Sequence, residues 1–232
     1  MFLRVTAYLI NSIAVSDDWS PSLDSLIDLS VLQKEATHLV CPNPSLEQIK
    51  ESEKYYEKYH PIAKKEFKGE VFRACSSPYY LFQSEDATRY RKRWDYQEKH
   101  LDWGKKKAKF STSEGHTKSY DLPLYLRVVN SIDWFCIGDL ETLKQYLSFV
   151  RYLGKKRSYG YGQIEKWEVK EFTQDWSLFK DGLITRPIPF RLVQNQPFHG
   201  NTIMKWGWRS PYWLPENQDI CLMPKNNCNK VL

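Results

Sequence analysis

The apolar positions of this chain follow two rhythms, one near two residues and one near 3.6, and their alternation outlines a series of elements. Phe2 to Val15 is β-branched, aromatic and partly alternating, which predicts a first strand. Ser20-Pro21 then offers an N-cap and a proline at the first helical position, and Leu23, Leu26, Ile27 and Val31 follow at helical spacing. Ser45 with Gln48 makes a second cap signal, opening a charged surface helix that runs to about Tyr59 and stops at Pro61. Lys68 to Gln83 returns to a strand pattern, with a bend expected at Pro78. Residues 120–137 read as strand again, carried by Leu124, Leu126, Val128, Val129 and Trp134 to Ile137. Asp139 caps the next helix, in which Leu140, Leu143, Leu147 and Val150 form one stripe and Gly154 takes the place of a glycine just past the C-terminus. Gln163 to Phe172 alternates as a strand with one solvated face.

In order these elements read β-α-β-β-α-β, with an extra helix after the first. The expected fold class is therefore α+β, a ferredoxin-like (RRM-like) domain over residues 1–172. Between its middle strands, at about 84–119, the pattern breaks into a basic segment ending in Ser111 to Ser119, a loop composition that suits a protruding flap. Residues 173–232 hold four of the nine tryptophans and much of the proline, and are expected to be a C-terminal extension packed on the domain or on a partner. Its densest aromatic cluster, Trp206, Trp208, Tyr212 and Trp213, is the candidate partner contact, since aromatic residues dominate interface hot spots.

Charge sharpens the reading. The chain's formal charge is +6, and the segment from Arg89 to Lys109 alone carries nine basic against three acidic residues, the same net +6. Arg89, Arg91, Lys92, Arg93, Lys105, Lys106 and Lys107 interleave there with Tyr90, Trp94, Tyr96 and Trp103. Basic residues mixed with aromatic rings suit nucleic acid, whose phosphates need cations and whose bases stack. The most apolar stretch, 122–137, is interrupted by Pro123, Arg127, Asn130 and Asp133, so no membrane span is expected. The first residues lack the layout of a secretory signal, which makes a cytoplasmic protein the expectation. Five cysteines, an odd number without a C-x-x-C pair, argue against a disulfide framework or a zinc ribbon. No metal and no cofactor is expected.

The candidate chemistry centres on Gly154-Lys155-Lys156-Arg157-Ser158-Tyr159-Gly160-Tyr161-Gly162, between the last helix and the last strand. Glycines permit positive φ and close backbone approach, the three cations neutralise phosphates, and Tyr159 and Tyr161 can stack bases. The loop lacks the Gly-Lys-Ser/Thr ending of a Walker sequence, which argues against NTP binding.

A loop of this form, so placed in a ferredoxin-like domain, resembles the RAMP superfamily of CRISPR-associated proteins. Together with Pro21-Ser-Leu-Asp-Ser-Leu26 and the Trp/Pro-rich tail, the chain is most similar to the Cas-five-like subunit of type IV effector complexes. The resemblance implies a non-catalytic RNA-binding subunit of an antiviral defense ribonucleoprotein, capping the complex at the repeat-derived 5′ handle of the crRNA. It implies that Lys155 to Gly162 cradles the handle and that the flap acts as a thumb or second RNA surface. It also implies contacts with the filament-forming (Cas-seven-like) backbone subunit and the large subunit, with target DNA met only through the complex. The stretch from Cys41 to Lys68 is longer than the minimal pattern of that family.

Two other readings remain. Some RAMP relatives cut precursor crRNA by metal-independent acid–base catalysis, for which His38, His60, His100, His116 and His199 are available, His116 nearest the basic surface. A scaffold binding an acidic protein surface is the other. Arg73 is either an RNA contact or an ion-pair partner. No paired carboxylates with metal-ligand spacing and no nucleophile elbow occur, so no catalytic residue is assigned.

Overall fold

In the computed structural model, residues 1–41, 44–92, 118–200 and 202–225 are described, together with the backbone of 228–230. Strand β1 (Phe2–Leu9) lies between β7 (Ser131–Ile137) and β8 (Ile164–Glu171), antiparallel to both. Beyond β7 lies the segment around 74–79, joined by the Cys75–Cys136 and Tyr79–Asp133 bridges and by Ile137 N donating to Ala74 O at 2.9 Å. The spatial order is thus last strand, first strand, third strand, second strand, the arrangement expected from a βαββαβ chain. The protein is α+β, as its sequence pattern predicts.

Burial follows from the alternation in β1. Leu3, Val5 and Ala7 are wholly buried and face the helices, whereas Phe2 and Arg4 point outward. Helix α1 (Leu23–Glu35) contributes Leu23, Ile27 and Val31, and α3 (Leu140–Leu147) contributes Leu143, Tyr146 and Leu147, so the two helices close the core over Trp134. Helix α2 (Leu46–Tyr59) has the capping box expected of Ser45 and Gln48, and rests Tyr55 and Tyr56 on the end of α1.

The boundaries differ from the sequence reading where long-range pairing overrides local pattern. The stretch 2–15 is two strands, because a register shift after Tyr8 ends β1 and the chain turns through Asn11 before β2 (Ile13–Val15) pairs with another sheet. The cap of α1 is Ser22 rather than Ser20, and Pro21 lies outside the helix with its carbonyl accepting from Trp134 Nε1 at 3.0 Å. Lys68 to Gln83 is not one strand bent at Pro78. A short hairpin, β3 (Lys64–Phe67) with β4 (Glu70–Arg73), precedes the 74–79 segment, and β5 (Tyr80–Lys92) follows it. Residues 120–137 divide at Asn130 into β6 (Tyr120–Val129) and β7. Helix α3 stops at Leu147, where Phe149 N and Val150 N bond three residues back and tighten the last turn, so Gly154 is no helix cap.

Both middle strands of the central sheet therefore run on as a ribbon. β5 and β6 pair antiparallel from Phe82↔Val129 to Lys92↔Tyr120, and β2 lies along β6. These are the arms of the predicted flap. Residues 93–117, with Arg93, Lys105, Lys106, Lys107 and His116, lie outside the described residues.

The extension has a core of its own. Small strands β9 (Phe179–Lys180), β10 (Leu183–Ile184), β11 (Ile188–Pro189), β12 (Ile203–Gly207) and β13 (Gln218–Leu222), with helix α4 (Phe190–Val193), enclose Leu178, Ile188, Leu192, Trp208 and Met223 around Phe72 of β4. β14 (Cys228–Lys230) adds in parallel to β5.

Candidate nucleic-acid interface

The Gly-rich loop is fixed against β2 and the turn before it. Lys155 N donates to Ala14 O at 2.8 Å, Gly162 N to Ser12 O at 2.9 Å, and Leu153 N to Gly162 O at 2.8 Å. Asn11 clamps the far side: its Nδ2 donates to Gly160 O at 2.7 Å and its Oδ1 accepts from Gln163 N at 3.0 Å. The backbone is left-handed at Gly154, Lys156, Gly160 and Gly162, around a single 3₁₀ turn at Arg157–Tyr159. The glycine at 162 is required twice over, because φ is +69° and an added Cβ would lie 2.0 Å from Leu153 O. Gly160 has φ +87° but open space around it. Gly162→Ala is therefore expected to destabilise the protein by roughly 2 kcal/mol or more and Gly160→Ala by about 1 kcal/mol, a contrast that thermal denaturation resolves.

The loop meets the flap arms. Lys156 Nζ sits 3.0 Å from the ring centre of Tyr90, Tyr159 packs edge-on to Tyr90 at 5.6 Å, and Tyr120 stacks on Tyr90 at 5.2 Å. Tyr90 and Tyr120 are residues of β5 and β6, so loop and flap form one surface. Lys155, Arg157, Ser158 and Tyr159 are exposed on it, Lys156 and Tyr161 half-buried. Hydrogen bonds from Tyr120, Tyr159 and Lys156 pull the Tyr90 phenol down to about 8. The ionised phenolate is favoured in the folded state, so this contribution to stability is absent below pH 8 and grows between pH 8 and 10. A phenolate beside the cations also repels phosphate. A spectrophotometric titration is expected to show one tyrosine ionising near pH 8, absent in Tyr90→Phe, with affinity for single-stranded RNA falling from pH 7 to 9.

Behind the loop a cleft of about 1170 Å³ opens between α1, β2 and the extension, with Lys155, Arg157, Lys205, Trp19, Trp206 and Trp213 among its walls. Its floor holds a buried polar cluster. The Arg186 guanidinium donates to Arg73 O at 2.5 Å, Cys75 O at 3.3 Å and Trp208 O at 2.9 Å, and meets Asp24 at 3.4 Å. Tyr212 hydroxyl donates to Asp24 at 2.6 Å and accepts from Arg186 at 3.0 Å. Desolvation raises Asp28 to about 7 and lowers His60 to about 4. Between those values both groups are neutral, so their 3.5 Å contact is not an ion pair.

The sequence-predicted residues divide accordingly. Gly154 to Gly162 form one loop as expected. Arg89 and Arg91 are both paired with Asp121, at 2.9 and 3.2 Å, and Lys92 is the last residue of β5. Arg73 donates to Tyr56 O and Ile62 O, beneath α2. Of the aromatic cluster, Trp208 is buried in the extension, Tyr212 is engaged by Asp24, Trp206 packs edge-on to Trp19, and Trp213 is 57% exposed. Asn11, Tyr120, Asp24 and Arg186 escaped the sequence reading, since each acts on a residue more than a hundred positions away or on a paired strand. Only the adjacent Asn11 and Ser12, a polar break in the mainly apolar 2–15 run, gave any signal.

Among the described residues no group of His, Cys, Asp or Glu could hold a metal ion, and no helix is long and apolar enough to cross a membrane. The family described as CRISPR type IV associated protein Csf3 matches residues 2–224. The chain belongs to that family. The match runs through the central sheet and the Gly-rich loop into the extension, as far as residue 224. No curated protein matches the chain.

Proposed function

We propose that this Csf3-family chain is the non-catalytic, crRNA-binding RAMP subunit of a type IV CRISPR effector ribonucleoprotein, capping the complex at the crRNA 5′ handle. The observation that carries this reading is the meeting of the Gly-rich loop with the flap arms: Lys156, Tyr159, Tyr90 and Tyr120 form a continuous surface of cations and rings. Exposed Lys155 and Arg157 flank it, and the left-handed backbone lets a phosphodiester chain approach closely. The CRISPR type IV family supplies the setting. In that reading the backbone (Cas-seven-like) and large subunits are the protein partners, target DNA is met through the complex, and the protein acts in the cytoplasm.

Co-purification with the other proteins of its locus, with sequencing and end-mapping of bound RNA, tests the proposal. Small RNAs sharing one constant 5′ segment are the expected result. Absence of RNA would leave a scaffold, and RNA cut by the chain alone would make it a nuclease.

A further inference from the structure

The cleft behind the Gly-rich loop changes chemistry from rim to floor. At the rim stand the exposed cations Lys155, Arg157 and Lys205, with Trp213 57% exposed among them. A tryptophan left that bare at the mouth of a cleft offers a ring face for a planar ligand. The floor instead carries Asp28, Ser210 and Arg186. Carboxyl groups there disfavour a phosphate but suit the neutral edge of a nucleobase, which both donates and accepts. One floor group has capacity left: Asp28 meets His60 at 3.5 Å and hydrogen-bonds Ser210, and both Asp28 and Ser210 line the cleft. At about 1170 Å³ the space exceeds the roughly 300–1,000 Å³ of clefts that enclose small ligands, so a base with its ribose fits.

We infer that this cleft takes one unstacked nucleobase of the bound RNA. The base stacks on Trp213, its hydrogen-bonding edge faces Asp28 and Ser210, and its phosphates stay on Lys155, Arg157 and Lys205. The inference rests on the RNA-binding reading and adds to it a site that meets the hydrogen-bonding edge of a base, where the loop offers only phosphate contacts and ring faces.

The test uses the full chain and a fluorescein-labelled RNA octamer copied from the repeat-derived 5′ segment of its own locus. A second set of octamers carries a single abasic site walked along the sequence. Binding is followed by anisotropy over a range of salt. One abasic position is expected to weaken binding at least about fivefold. Trp213→Ala and Asp28→Asn are expected to weaken binding of the intact octamer by a similar factor, yet bind that abasic octamer as the unaltered protein does, with an unchanged salt slope. Thermal melting checks that Asp28→Asn is folded, and Trp213 is exposed enough for its variant to stand alone. If every abasic position is neutral, or if Trp213→Ala weakens intact and abasic octamers equally, the base site is overturned while RNA binding stands. If the unaltered protein binds no octamer at low salt, the RNA-binding reading itself falls, and the base site with it.

Discussion

Changing Lys155, Lys156 and Arg157 together to alanine is expected to lower affinity for single-stranded RNA about a hundredfold. A hydrogen bond to a charged group contributes roughly 1.5–3 kcal/mol when protected, and somewhat less at exposed positions such as Lys155 and Arg157. At about 1 kcal/mol each, three contacts give close to two decades. On the proposed reading these side chains meet phosphate rather than base edges, so the loss should be the same for all sequences. The slope of log K against log salt should fall by about 0.7 for each lost contact, about 2 in all. The substitutions spare the glycines and the Asn11 clamp, so the loop keeps its shape and circular dichroism should be unaltered. Anisotropy titrations at several salt concentrations decide the matter. A loss confined to one RNA sequence, or no change in slope, would remove the loop from the phosphate path.

Arg186→Ala is expected to destabilise the protein by about 3–5 kcal/mol, the largest single-residue effect anticipated. Arg186 is 2% exposed and Asp24 1% exposed, so the change leaves a buried carboxylate without a cationic partner, held only by donors such as the Tyr212 hydroxyl and Ser25 N. It also removes the guanidinium bonds to the carbonyls of Cys75 and Trp208, and one of the two bonds to Arg73 O, which keeps the one from Cys75 N at 2.8 Å. Arg186→Lys should fare little better, since one ammonium group cannot reach partners spread over β4, the 74–79 segment and the extension. Asp24→Asn added to Arg186→Met is expected to recover part of the loss by removing the stranded charge. Urea denaturation followed by tryptophan fluorescence measures these differences. Because Arg186 ties the extension to α1, its variants should also expose protease sites after residue 173 before the central sheet unfolds.

The elements legible from sequence are those whose signal is local. Helix α2 announced itself by its capping box, α3 by its Asp139 cap and leucine stripe, and β8 by alternation. Their order was enough for the α+β class. The Gly154 to Gly162 loop was legible because glycines and three successive cations have few structural uses in a turn. The breaks were not. The division of 2–15 into β1 and β2 depends on a shift in pairing with β8, and the division of 120–137 depends on β6 leaving the central sheet to pair with β5. A strand pattern records which side chains face inward and does not record which neighbour supplies the hydrogen bonds.

The aromatic cluster of the extension shows the same limit at the level of the site. Composition alone cannot separate a tryptophan that fills a core from one that meets a ligand. Trp208 lies 3% exposed beside Phe72, while Trp213 stands 57% exposed at the cleft.

By itself the sequence determined the class of fold, the order of its elements, the basic and aromatic character of the flap and the identity of the loop. Each of these is written in contiguous residues, where spacing, capping and charge act over a few positions. Only the tertiary structure decided that Tyr90 and Tyr120 meet Lys156 and Tyr159, that Asn11 holds the loop, and that Asp24 and Arg186 join across 162 positions beneath a cleft. Those contacts join residues far apart in the chain, and burial sets their strength. Neither leaves a periodic trace in the sequence that chain-local rules could find.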